Sequence, residues 1–446
     1  MNQSIIEILE FVKENDIKFI KLQFCDIFGK IKNVSIVAAQ LEKAFTHGIG
    51  FDASSINGFL NVEDSDLILF PDPSTLAILP WRPQQGRVAR FFCDIKTPDG
   101  KIFDGDSRWI LKNAVEELWK LGYTAKVGAE CEFYLFKTDD EGEPLLTPQD
   151  RAGYFDVAPF DKGENIRREI CLTLENMGFT PESSHHESGP GQNEIDFMYD
   201  SPLNSADNII AFKTVVKTIA NLNGLYVSFI PKPFIDKSGS GLHINLSLNK
   251  GGKNIFNREE NKDGSYPKDA EGFMAGILER VNDITAVLNP TVNSYKRFGG
   301  FEAPKYITWS HKNRSQLIRI PASKGQYSRM ELRSADCTCN PYLAFALLIY
   351  AGIEGIKEGK KLPKTIDTNL YNLTEVEKKS INCLPINLKE AVGYMDKSGF
   401  VKNALGEFVY DKFLKAKRDE WNLYDEKCKA YDEITEWEIS NYFYSM

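Results

Sequence analysis

Five carboxylates and one imidazole sit in four short segments spread over some two hundred residues, and they make chemical sense together only if the fold brings them to one pocket. The segments are GAECEF (Glu130, Glu132), HHESGPGQNEIDF (Glu187, Glu194), GSGLHINLS (His243) and MELRS (Glu331, Arg333). Residues two apart on a strand share a face, so Glu130 and Glu132 point the same way from a strand otherwise built of Val127, Ala129, Phe133 and Leu135. Glutamates in such a buried strand need partners. Brought together without counter-charge, each close carboxylate pair at ~4 Å costs about 4 kcal/mol at an effective dielectric near 20. Divalent cations remove that repulsion, and hard oxygen ligands with one imidazole suit magnesium or manganese. The chain therefore reads as an enzyme whose fold must gather distant acidic strands around one pocket.

At 446 residues the chain is too long for one ordinary core, and two or more domains are expected. Hydrophobic residues make up 42% and charged residues 26%, the balance of a soluble globular protein. A net charge of −9 argues against nucleic acid as the main partner. No apolar stretch approaches the ~18 residues of a membrane helix. The start, MNQSIIEILEFVKEND, lacks the basic head and small-residue cleavage site of a signal peptide, so a cytoplasmic protein is expected. The eight cysteines, including the Cys337/Cys339 pair, read as reduced structural thiols, because no second pair or neighbouring histidine completes a zinc set.

Residues 17–36 alternate apolar and polar around an FGK turn, which predicts a hairpin. Strand-like runs at 67–70, 76–79 and 89–95 complete a small sheet domain. The turn-rich TPDGKIFDGDSR (97–108) marks the boundary, giving domains at 1–103 and 104–446. Helical periods follow at 108–121, 163–177, 205–223, 269–288 and 340–358, with a last helix expected over 404–443. Strands are expected at 124–137, 192–199, 225–231, 241–248, 304–309, 316–320 and 328–334, and 252–272 as a polar exposed loop. Helices and strands mixed without regular βαβ alternation give an α+β fold.

Gly189-Pro190-Gly191 can turn Glu187 and Glu194 toward each other. His185 and His186 read as structural and stay outside the metal set. Gly239-Ser240-Gly241 allows close backbone approach to a ligand just before His243. Residues 293–333 are dense in arginine: Arg297, Arg314, Arg319, Arg329 and Arg333. Guanidinium groups match phosphate and carboxylate bidentately, and carboxylate-held cations beside an arginine cluster are the equipment for phosphoryl transfer from a nucleotide. The chain has no GxxxxGKS/T loop, so it is not a P-loop enzyme.

Taken in order, FDASSINGF, WRPQQG, PDGKIFDGD, GAECEF, HHESGPGQNEIDF, GSGLHINLS, NSYKR, FEAP, NRSQLIRIP and NPYLA closely resemble bacterial type I glutamine synthetase, almost from end to end. The resemblance implies a small N-terminal β-grasp domain and a larger catalytic domain on a mostly antiparallel curved sheet with flanking helices. It implies two stacked hexameric rings, with ATP as co-substrate and two or more Mg2+ or Mn2+ per site. Glu132, Glu187 and Glu194 would hold one ion, and Glu130, His243 and Glu331 the other. Glu132, Gly239, Arg297, Glu302 and Arg333 would meet glutamate, while Asn245, Ser247, Arg314 and Arg319 would meet the nucleotide. Asp52, from a neighbouring subunit, would attract ammonium, and Glu302, on a mobile loop, would act as base and lid; Arg314 and Arg333 complete the catalytic set. The implied reaction passes through γ-glutamyl phosphate, which ammonia converts to glutamine.

Ala53, Asn61 and Ser238 depart from the family pattern, and the NSYKRFGGFEAP loop is one residue shorter than its relatives. Asn61 stands where related enzymes carry an arginine linked to glutamine feedback, so weak feedback is expected. Tyr371 aligns with a tyrosine that some relatives adenylylate. Two alternatives stay open: a ligase for another amine such as a polyamine or ethanolamine, and a poorly catalytic regulatory homologue. A nitrogen-regulatory protein is a further expected partner.

Overall fold

The computed structural model describes residues 3–258, 265–428 and 431–446, with backbone only at 371 and 375. Helix α1 (Gln3–Glu14) leads into β1 (Ile17–Cys25) and β2 (Ile31–Val37), the expected hairpin. Asp26 closes its turn, accepting the Phe28 and Lys30 N–H groups at 3.0 and 2.9 Å. Next come α2 (Leu41–His47), β3 (Ile49–Asp52), β4 (Asp66–Pro71), β5 (Ala77–Ile78) and β6 (Arg87–Lys96). The sheet runs β2-β1-β6-β4-β3, with β5 also on β6; β1 and β6 are parallel and the other pairs antiparallel.

Helix α3 (Ser107–Lys120) starts at Asp106, whose carboxylate accepts the Arg108 and Trp109 N–H groups. The other Asp106 oxygen accepts from Ile95 N–H at 2.9 Å, tying the helix start to the last strand of the first sheet. A second sheet follows: β7 (Tyr123–Thr138), β8 (Pro144–Pro148), β9 (Pro181–His186), β10 (Gln192–Asp200), β11 (Leu225–Ser228), β12 (Leu242–Lys250), β13 (Lys253–Asn254), β14 (Trp309–His311), β15 (Ile318–Ile320) and β16 (Met330–Leu332). Its order is β14-β15-β16-β12-β7-β10-β9, with β8 and β11 also on β7 and β13 on β12. Only the β14–β15 pair is parallel among the described strands of this sheet.

The flanking helices are α4 (Glu164–Asn176), α5 (Pro202–Leu222), α6 (Lys268–Leu288), α7 (Pro341–Glu358), α8 (Glu375–Lys379), α9 (Leu388–Lys397), α10 (Gly399–Leu405), α11 (Glu407–Lys427) and α12 (Glu436–Glu438), the last running into a π-helical turn over Ile439–Phe443. One face of β7 packs its Phe133 on Phe212 of α5 and on Phe229, with ring centroids 6.1 and 5.8 Å apart. Helices α6 and α7 touch through bare backbone: a Cβ added to Gly276 would fall 2.1 Å from the Ala351 carbonyl oxygen. Among the described residues no helix is long and apolar enough to cross a membrane.

Three segments differ from expectation. The strand expected over 304–309 begins only at Trp309; before it, Tyr306 forms a single bridge to Cys383, outside the sheet. The helix expected over 404–443 is broken. Gly406, at φ +78°, separates α10 from α11, and a Thr435–Glu438 capping box restarts the chain at α12. The 252–272 segment, expected as a polar exposed loop, instead carries β13, buries Ile255 and Phe256 and enters α6 at Lys268; its residues 259–264 lie outside the described residues.

A buried ion network joins the first sheet to the helices. Arg108 of α3 binds Asp72 at 2.9 Å, Asp94 at 3.0 Å and Asp207 of α5 at 2.8 Å. The Tyr342 hydroxyl of α7 donates to the same Asp207 at 2.6 Å.

Candidate active site

The second sheet lines up its polar residues by register. On β7, Glu132 stands opposite Glu194 of β10, and Glu130 stands between Asp196 of β10 and His243 of β12. Glu194 in turn faces His185 of β9; Asn245 of β12 faces Glu331 of β16, and Glu331 faces Arg319 of β15. Their strand neighbours Ala129, Cys131, Ile195, Ile244, Ile318 and Leu332 are buried on the opposite face. Six strands with period-2 alternation thus place one polar patch on one side and the core on the other.

The patch opens into a cavity of about 800 Å³ whose walls include Glu130, Glu132, Glu187, Glu194, Gly239, His243, Arg297, Glu302, Arg314, Arg319 and Arg333. A smaller cleft of about 190 Å³ shares Glu130, Asp196 and Arg329 and adds Asn245 and Ser247. His243 Nδ1 lies 3.0 Å from Glu130 Oε2, and its Nε2 lies 4.0 Å from Glu132 Oε1. Gly241 N–H donates to Glu132 Oε2 at 2.7 Å, so the glycine-rich approach to β12 fixes that carboxylate. The Cys337 thiol donates to the carbonyls of Glu132 and Gly241 from behind, and all eight cysteines are free.

Arginines form the opposing wall. Glu331 is fully buried and is clasped by Arg319 at 2.5 Å and by Arg333. Arg297 is anchored by its own chain, donating to the carbonyls of Ser334 (2.8 Å), Arg333 (3.0 Å) and Ala335 (2.9 Å). The loop bearing Glu302 is strained: Phe301 and Glu302 lie at φ +50° and +64°, a left-handed conformation that is costly for residues with side chains. Phe301 rests 4.4 Å from the Lys232 ammonium, and Glu302 Oε2 sits 3.9 Å from Arg333 and 4.0 Å from Arg314.

The electrostatics expose the cost of gathering acids. Burial, reinforced by Asp196, Glu132 and Glu130, pushes the Glu194 carboxyl well above its ordinary range. Burial and Glu132 raise Glu187 to about 7, and burial and Glu130 raise Asp196 to about 6. Glu130 is also penalised by burial, but its hydrogen bond and attraction to His243, with help from Asn245 and Arg333, bring it down to about 2. Glu130, His243 and Glu331 converge closely enough to hold one cation, as do His185, Glu194 and Asp196. Carboxylate oxygens with imidazole nitrogen fit a hard divalent ion.

Asp196 and His185 were not anticipated as part of the site. The period-2 rule that links Glu130 to Glu132 also links Glu194 to Asp196. His185 Nδ1 lies 3.5 Å from Glu187 and its Nε2 3.7 Å from Glu194. Asp52, by contrast, lies at the exposed end of β3, accepts from Ser54 N–H at 2.8 Å and does not line this chain's cavity. Tyr371 lies in a short 3-10 turn, and its side chain is outside the described residues.

Residues 104–442 match the family profile for the glutamine synthetase catalytic domain, and residues 16–98 that for the glutamine synthetase β-grasp domain. The chain belongs to the glutamine synthetase family. It is 51% identical over 439 residues to glutamine synthetase of Clostridium saccharobutylicum, covering 98% of both chains. The Methanosarcina mazei enzyme is 49% identical over 439 residues, with 98% of this chain and 97% of that one covered. The solved GmaS–ADP complex superposes with a TM-score of 0.85 at 30% identity, covering 98% of this chain and 99% of its own. Glutamine synthetase of Plasmodium falciparum, at 24% identity and a TM-score of 0.85 over 99% of both chains, shares the fold.

Proposed function

We propose that the chain is an ATP-dependent glutamate–ammonia ligase, a carbon–nitrogen bond-forming enzyme that makes glutamine, ADP and phosphate. The observation that carries this reading is the single cavity in which a row of carboxylates faces a row of arginines, within a full-length family match. Magnesium or manganese, held by Glu132, Glu187 and Glu194 and by Glu130, His243 and Glu331, would neutralise the acids and draw charge from the transferring phosphoryl group.

The remaining chemistry falls to side chains. Arg297 and Gly239 hold glutamate so that its γ-carboxylate reaches the γ-phosphorus of ATP. Asn245 and Ser247 border the nucleotide cleft, and Arg314, Arg319 and Arg333 stabilise charge on the transferring phosphoryl group. Glu302 closes over γ-glutamyl phosphate and takes a proton from the attacking nitrogen, because ammonium is the dominant form at neutral pH and ammonia is the nucleophile. Asp52 acts across a subunit boundary by attracting ammonium, which its place on β3 supports. Two hexameric rings, a cytoplasmic location and a nitrogen-regulatory protein partner belong to the same reading.

Steady-state phosphate release with ammonium and a panel of amines tests it. Ammonium should give the highest kcat/KM, with glutamine as product. Turnover with a bulky amine and none with ammonium would reassign the acceptor. Binding of glutamine or ATP without turnover of any amine would mark a regulatory homologue.

A further inference from the structure

We propose that the buried Asp150–His186 pair is a positioning device that fixes both ends of the turn between Glu187 and Glu194. The inference rests on reading those two glutamates as ligands of one cation. His186 ends β9 and is wholly buried, and Asp150 lies in the segment after β8. His186 Nε2 donates to Asp150 Oδ1 at 2.9 Å, and its Nδ1 donates to the Glu187 carbonyl at 2.7 Å. Both neighbours are acceptors only, so both ring nitrogens carry hydrogen. The imidazole then has no lone pair for a metal, although Asp150, Asp161 and His186 lie close enough together to suggest a metal site.

The same Asp150 oxygen accepts from Gly191 N–H at 2.9 Å, and its partner oxygen accepts from Lys162 N–H at 3.0 Å. One carboxylate therefore holds the far end of the turn directly and the near end through the imidazole. Gly191, at φ +68°, has no room for a side chain, since a Cβ would fall 2.7 Å from the Leu135 carbonyl oxygen. Within the turn, Gly189 N–H donates to Gln192 Oε1 at 2.9 Å, and Gln192 Nε2 reaches Glu132 Oε2 at 3.3 Å. A rigid turn thus sets the distance between Glu187 and the two glutamates on β7 and β10. Neither Asp150 nor His186 lines the cavity, so both act through backbone.

Mn2+ binding followed by electron paramagnetic resonance on the full-length protein tests this, with wild type, Glu187→Gln, Asp150→Asn, Asp150→Ala and His186→Gln compared. Loss of a partner that orients a ligand typically costs 10–100-fold in metal affinity. Asp150→Ala and His186→Gln should each weaken binding by about that factor, and Asp150→Asn by less. Raising the metal concentration should restore kcat in these variants, so the defect appears as a higher half-saturating metal concentration. Should His186→Gln fail to fold, the isosteric Asp150→Asn carries the test. Wild-type Mn2+ affinity in the folded Asp150 variants, or a kcat loss that saturating metal leaves uncorrected, overturns the positioning role. Equal Mn2+ affinity in wild type and Glu187→Gln instead overturns the assignment of the ligands themselves.

Discussion

Glu187, proposed as a cation ligand, shows at the scale of one residue how a proton and a cation would compete for the same carboxylate. In the folded chain it titrates near 7, against an ordinary value of 4.5, chiefly through burial and then through Glu132. Between those values the folded chain holds a proton that the unfolded chain has released. The stability this contributes is complete below pH 4.5 and is lost as pH rises through about 7. Cation binding must expel the same proton, so affinity runs the opposite way. Calorimetric titration with Mg2+ should show affinity rising with pH through about 7, by tenfold or more per unit because Glu194 is raised as well, with proton release that depends on buffer ionisation heat. Affinity that is flat from pH 6 to 8 contradicts the shared proton. Glu130 contributes nothing to this window, because His243 keeps it ionised down to about 2.

At the scale of elements, α3 is held to the first sheet and to α5 by Arg108. Removing a buried guanidinium with three carboxylate partners leaves charges uncompensated, and such losses cost about 3–5 kcal/mol. Arg108→Ala should lower the urea midpoint sharply, while Lys101→Ala at an exposed pair should leave it unchanged; equal midpoints would show that the network contributes little. Strands such as β7, β10 and β12 were legible because isolated polar residues at period 2 stand out in apolar runs. Asp196 obeys the same period but stands in EIDFMYD, where an acid near a strand end looks like a solvated one. Residues 304–308 deceived because extended chain can pair with a distant loop, here Cys383, as readily as with a sheet. In the C-terminal helix the periodicity survives the break at Gly406, which lies in one backbone angle that periodicity does not register, whereas the second break, before α12, carries the Thr435–Glu438 capping box as its mark.

At the scale of the molecule, Asp52 is the residue whose proposed part in the chemistry was least visible, since alone it resembles a turn residue capped by Ser54. If Asp52 serves a neighbour's cavity, chains carrying Asp52→Ala and chains carrying Glu187→Gln should rescue each other. Co-expression in equal amounts should restore activity at about a quarter of the sites, those assembled from one intact half of each chain across a heterologous interface. A co-expressed mixture no more active than the two separate variants would place Asp52 outside the reaction. Strand β3, which carries it, ends the first sheet and has one flank without a strand partner among the described residues. Exposed strand flanks recruit other strands indiscriminately. If the chain assembles into rings as proposed, dissociating them would leave more than idle subunits: each freed chain would bare an adhesive border, and concentrated, dissociated chains would clump rather than return as monomers.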